Sequence, residues 1–223
     1  MVIAVVVGTL LLALELAAVP IATRVIGAVA ARCVVSEHLE LTAVDRPVLP
    51  RLLTGRARGV ELRAEGVQAG ELRIAEAHLD LPEALLPWAI GDPDPVPAVL
   101  TLRVTERDVQ RALRAALPLR LPVEVTLDPD VATVGAAGVS LEVELALEVA
   151  ADGTVTVRPG GGAGFLDRLG LATSFPPSDD VHVTAIDIGD GELSGVLELA
   201  VVPGLGDGEG CAEPLASGAS PTG

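Results

Sequence analysis

The side chains able to do chemistry are few, and their spacing is unhelpful to catalysis. Glu142 and Glu144 share one face of an alternating stretch, as a pair of carboxylates for acid and base work would. Glycoside chemistry also needs such a pair to sit in a cleft. Sugar clefts are usually floored by aromatic rings, and Trp88, Phe165 and Phe175 are the only aromatics in 223 residues. Asp187, Asp190 and Glu192 suggest calcium, but they do not follow the EF-hand spacing, and a hairpin turn accounts for them. His38, His78 and His182 lack metal-ligand spacing. The Gly-rich run 160–164 follows a strand, as a phosphate loop does, but the helical piece after it is short and no acid is placed for a ribose. It reads as a loop. Ser140 stands in Gly138-Val139-Ser140-Leu141-Glu142, which is not a nucleophile elbow. The sequence holds no Lys, so a P-loop or Schiff-base lysine is excluded. The expectation is a non-catalytic protein with no cofactor and no metal.

Charge narrows the partners. The formal net charge is −16, and a polyanion is repelled by that field, so nucleic acid is not expected. The acids concentrate late: residues 121–223 hold 2 Arg against 17 acids. Cys33 and Cys211 are too few for a disulfide framework.

Stepping along the chain, residues 2–22 are apolar except Thr9 and Glu15. That length fits a membrane anchor or signal segment. Glu15 is costly near mid-membrane, and Pro20 ends or kinks a helix. A helix is expected to continue over 22–39, with Ala22, Ile26, Val29 and Cys33 on one face. From residue 58 the period becomes two. Val60 and Leu62, Leu72 and Ile74, and Leu79 and Leu81 alternate with charged residues, as a meander of antiparallel strands does. Pro82 opens a short helical piece ending near Trp88, and residues 91–97 are a connector.

Leu100, Leu102 and Val104 make a further strand. Thr105 then caps a helix, with Asp108 at the N3 position. Val109, Ala112, Leu113, Ala116 and Leu117 form its apolar stripe. Strands return at Val123–Leu127 and over 139–149, with a hairpin at Asp152-Gly153. One helical turn is placed at 165–171. Val181 to Ile188 slips parity near Ala185, as a bulge does. Asp190-Gly191 is the next hairpin, and Leu193 to Val201 close the sheet. Residues 204–223 read as a disordered tail.

One apolar and one charged face per strand is the pattern of an antiparallel sheet wet on one side. The fold class expected is α+β: a long curved antiparallel meander sheet wrapped on one or two amphipathic helices. The domain spans 23–203. Such a sheet either closes over a core or leaves a gap that admits acyl chains.

The arrangement of short motifs resembles a known family. An apolar N-terminal segment leads into an Ala/Arg helix. Then come Pro47 to Val67, with the leucine pair and glycine Leu52-Leu53-x-Gly55, the run Gly70 to Pro82, the Val-Thr-Glu-Arg-Asp-Val helix start, and a terminal pair of strands. This is similar to the actinobacterial LmeA-like envelope proteins over roughly residues 10–202. Asp45-Arg46-Pro47-Val48-Leu49 replaces an aromatic-containing version of that segment, and Ala57 replaces an aromatic. The resemblance implies a secreted or membrane-anchored protein on the extracytoplasmic side. It implies a phospholipid or glycolipid partner, a role in lipomannan-type glycolipid synthesis or lipid transfer, and a tubular lipid-binding fold.

The candidate lipid-lining residues are Leu52, Leu53, Val109, Leu113 and Leu117. Arg51, Arg56 and Arg58 are placed to meet an anionic head group. The alternative is a structural or assembly protein of the envelope, with a closed core and a protein partner on its acidic face.

Overall fold

The computed structural model describes residues 35–86, 89, 96–116, 123–136, 139–159, 174–177 and 181–201. From the N-terminal part it describes Glu15, Pro20, Thr23, Arg24, Ile26 and Gly27, all helical. The expected helical turn at 165–171, the Gly-rich run 160–164, Leu117, both cysteines and the tail 204–223 lie outside the described residues.

The architecture is α+β and mostly antiparallel sheet. The strands are β1 (His38–Ala43), β2 (Arg56–Ala69), β3 (Leu72–Leu85), β4 (Val96–Thr105), β5 (Val123–Asp128) and β6 (Val131–Ala136). They continue as β7 (Val139–Val149), β8 (Val155–Pro159), β9 (Ser174–Phe175), β10 (Val181–Gly189) and β11 (Glu192–Val201). Helix α1 is Val48–Leu53 and helix α2 is Glu106–Ala116.

The strands form two sheets rather than one continuous meander. The first has the order β1-β2-β3-β4-β11-β10, and the second β5-β6-β7-β8-β9. The reason lies at β4. Its edge is taken by the last strand, with Leu193 opposite Val104 and Leu199 opposite Ala98. The chain leaving β4 enters α2, and β5 starts a new sheet.

Alternation explains the strands. Along β5, Val123, Val125 and Leu127 are buried while Glu124, Thr126 and Asp128 are exposed. A period of two does this on a pleated strand with one dry face. On the wet face of the first sheet an ion-pair ladder crosses four strands: Arg63 to Glu76 at 2.7 Å, Glu76 to Arg103, and Arg103 to Glu192 at 3.4 Å. The eleven-residue β7, the hairpin at Asp152-Gly153 and the register shift between Val183 and Ala185 match their expectations.

Three expectations need correction. The N-terminal helix does not reach residue 39, because His38–Ala43 pairs with β2 as β1. Pro82 opens no helix; it sits inside β3. Pairing of β3 with β4 runs only over Glu76–Asp80, so around Pro82 the strand has a partner on the β2 side alone. A proline without a ladder N–H is tolerated at such an edge. Third, Val48–Leu53 is helical where no element was expected. Pro50 stands in its first turn, where proline costs no hydrogen bond.

Two cores result. The first is built of Ile26, Leu41, Val48, Ala57, Val60, Leu62, Leu81, Ala84, Leu86 and Ala98. Ile26 is fully buried there, so one position of the expected N-terminal stripe does face a core. The second holds Val123, Val125, Leu127, Ala132 and Ile188, with Val109 and Leu113 of α2 packed against it.

Candidate functional site

Helix α2 is positioned by its polar ends and its apolar stripe together. Its start follows the capping pattern read from sequence. The Asp108 amide donates to Thr105 Oγ1 at 3.3 Å, and the Thr105 hydroxyl donates to Asp108 Oδ2 at 2.7 Å. The Glu106 amide donates to the Gly191 carbonyl at 3.0 Å, and the Leu127 amide donates to Glu106 Oε2 at 3.0 Å. The Gly191 amide in turn donates to the Leu127 carbonyl at 2.9 Å. One helix start, one strand of the second sheet and the β10–β11 hairpin are thereby tied together. One and two turns further along the same face, Gln110 Nε2 and Arg114 Nε donate to the Val123 carbonyl at 2.7 and 3.0 Å.

A cavity of about 510 Å³ opens at this helix start, lined by Arg73, Thr105, Glu106, Arg107, Asp108, Arg111 and Gly191. Asp108 is buried, at 3 % exposure. Its carboxylate meets Arg111 Nη1 at 2.7 Å and Arg73 Nη1 at 3.6 Å. Arg73 also grips Glu37, with Nη2 2.9 Å from both carboxylate oxygens. Glu37, first by hydrogen bond and then by charge, raises the Arg73 pKa above its ordinary value. The cavity's charges therefore mostly satisfy each other, and Arg107 is exposed at the rim.

The apolar side of α2 faces the second core. Val109 and Leu113 are half-buried, as are Val134, Leu145, Leu147 and Leu193 around them. These half-buried aliphatic side chains of α2 and its neighbours pack against the second core.

The other sequence candidates fall around α1, away from this surface. Leu52 and Leu53 end α1, and Gly55 follows in the left-handed region, with φ of 73°. A glycine just past a helix end is the usual αL stop, so the Leu52-Leu53-x-Gly55 motif marks a helix terminus. Leu53 is 77 % exposed. Arg51 lies 3.9 Å from Asp45, and its buried Nη1 finds no hydrogen-bond partner among the described residues. Arg56 pairs with Glu83 at 2.9 Å. Arg58 is exposed. The structure brings Val109 and Leu113 together, and it separates them from the Leu52–Arg58 group.

Glu15 has a role that the sequence did not reveal. Its carboxylate accepts hydrogen bonds from the Val48 and Leu49 amides at the start of α1. Those amides hold its pKa below the ordinary glutamate range, with Arg46 and Arg51 adding to the effect. The expected anchor over 1–22 otherwise lies outside the described residues, apart from Glu15 and Pro20. Among the described residues no helix is long and apolar enough to cross a membrane. Glu15 meets the start of α1 in the folded domain. Among the described residues no group of three His, Cys, Asp or Glu is placed to hold a metal. Glu144 is exposed on β7, and Asp190-Gly191 forms a hairpin turn.

A family model described as LmeA-like phospholipid-binding matches residues 12–202. That span includes both sheets and both helices. No curated protein matches the chain significantly. The same holds for the solved structures.

Proposed function

The chain belongs to the LmeA-like phospholipid-binding family, and on that premise we propose that it is a non-catalytic phospholipid carrier of the cell envelope. The family match over residues 12–202 carries this reading. The half-buried aliphatic surface of Val109, Leu113, Leu145 and Leu147 supports it, because acyl chains need an apolar surface that is neither sealed nor fully wet. In this reading the acyl chains lie along α2 on the second sheet. The protein works on the extracytoplasmic side, in lipid transfer or in support of glycolipid synthesis. An enzymatic role is not part of it, since no constellation of nucleophile, base and orienting group emerged from the sequence.

The test is native mass spectrometry with solvent extraction on the full chain purified without detergent. One bound phospholipid per chain is expected, and Leu113→Asp should lose it while circular dichroism stays unchanged. An apo mass with no uptake from added liposomes would overturn the reading in favour of a structural envelope protein.

A further inference from the structure

The apolar N-terminal stretch is tied to the folded domain at two points. Glu15 is the one charged residue within residues 2–22, and its carboxylate is spent on α1. The Leu49 amide donates to Glu15 Oε2 at 3.0 Å, and the Val48 amide donates to Oε1. A helix start leaves its first amides without partners inside the helix. Helix α1 has no acid in its first turn, and Pro47 precedes it without a side-chain oxygen to cap it. Glu15 therefore supplies from a distance what the local sequence lacks, with Arg46 and Arg51 close enough to favour its charge. Ile26 is the second tie. It is fully buried in the first core, whose members include Leu41, Val48 and Val60. Val48 thus takes part in both ties, through its amide and through its side chain. The family match begins at residue 12, within the apolar stretch and ahead of Glu15.

We propose that residues 15–27 are a permanent element of the domain, so that the working protein keeps them and any maturation cut falls ahead of Glu15. A cleavable signal is recognised by its apolar run and its small-residue site, and it needs no contact with the domain it exports. Ala28-Val29-Ala30 offers such small-residue spacing. A cut after Ala30 would remove Glu15 and Ile26 together. The Val48 and Leu49 amides would lose their acceptor, and the first core would lose a fully buried side chain. The folded domain therefore starts at or before Glu15 and not at residue 23. The retained element is independent of which lipid the domain carries.

The full chain, expressed in its own cells and recovered by a C-terminal tag, is read by intact mass and N-terminal sequencing. Its N-terminus should lie at or before Glu15, and an N-terminus anywhere after Glu15 overturns the proposal. Amide exchange on the same protein tests the first tie. The Val48 and Leu49 amides should exchange slowly, and Glu15→Ala should speed them at least about tenfold. Glu40→Gln, at an exposed position on β1, should leave them unchanged. Fast exchange in wild type, equal to that of Glu15→Ala, overturns the proposal. Urea unfolding tests the second tie. Ile26→Ala should lower the midpoint well below that of Val35→Ala, which trims a side chain 78 % exposed. Equal midpoints for these two variants overturn the proposal as well.

Discussion

Asp108 of α2 and Arg73 of β3 meet at 3.6 Å, and Asp108 is the buried member of the pair. The contact fixes the start of α2 to the first sheet, while the helix stripe lies on the core of the second. Asp108 also takes the Thr105 hydroxyl and Arg111. Asp108→Ala removes all three and exposes the helix start. We expect a loss of about 2 kcal/mol in urea unfolding, the scale of a lost cap with charged hydrogen bonds. Arg111→Ala should cost about 1 kcal/mol or less, because Arg111 is half in water. Equal losses for the two would show that Asp108 is not the hub.

Glu15 makes stability depend on acidity. Its folded pKa is depressed, chiefly by the Val48 and Leu49 amides. A depressed carboxylate contributes stability that is fully present above its unfolded pKa and is lost as pH falls through the folded one. Asp152, depressed mainly by the Thr154 amide, acts in the same direction. Thermal unfolding of wild type and Glu15→Gln should differ at neutral pH. The difference should shrink as pH is lowered through the carboxylate range. A difference that is constant with pH would mean that the Glu15 charge is not what holds α1.

Two leucines separate packing from surface. Leu127 is 2 % exposed and Leu53 is 77 % exposed. Leu127→Ala should cost about 3 kcal/mol, since it leaves a cavity beneath α2. Leu53→Ala should stay within about 0.5 kcal/mol. Denaturant midpoints of the two variants decide this.

Gly55 and Gly191 share a φ of 73° but differ in their surroundings. A Cβ on Gly55 would stand 2.5 Å from the Ala89 Cα, whereas one on Gly191 meets nothing within 4 Å. Gly191→Ala then costs only the left-handed backbone term, about 1 kcal/mol. Gly55→Ala adds a backbone clash, and its unfolding free energy should fall further. The reverse order would place the close approach elsewhere.

Much of this was legible because it is local. The Thr105–Asp108 cap lies within one helical turn, and the alternation of β5 and β7 needs only the pleat. The slip near Ala185 showed as a break in that alternation. Val109 and Leu113 were identified by helical spacing alone. Helix α1 was hidden because it is six residues long with prolines at 47 and 50, and its position depends on a carboxylate more than thirty residues earlier. Pro82 misled because its place at a one-sided stretch of β3 depends on where β4 stops pairing.

The amino-acid sequence by itself determined the alternation of β2, β5 and β7, the α2 stripe and the acidic late half, since period and composition are properties of the chain alone. Only the tertiary structure decided that β11 returns to β4 and so divides the strands into two sheets. It also turned Leu53 outward while Leu113 faces a core, and it set Asp108 between Arg73 and Arg111. Those outcomes depend on which distant groups compete for the same edge or the same charge, and no local pattern encodes that competition.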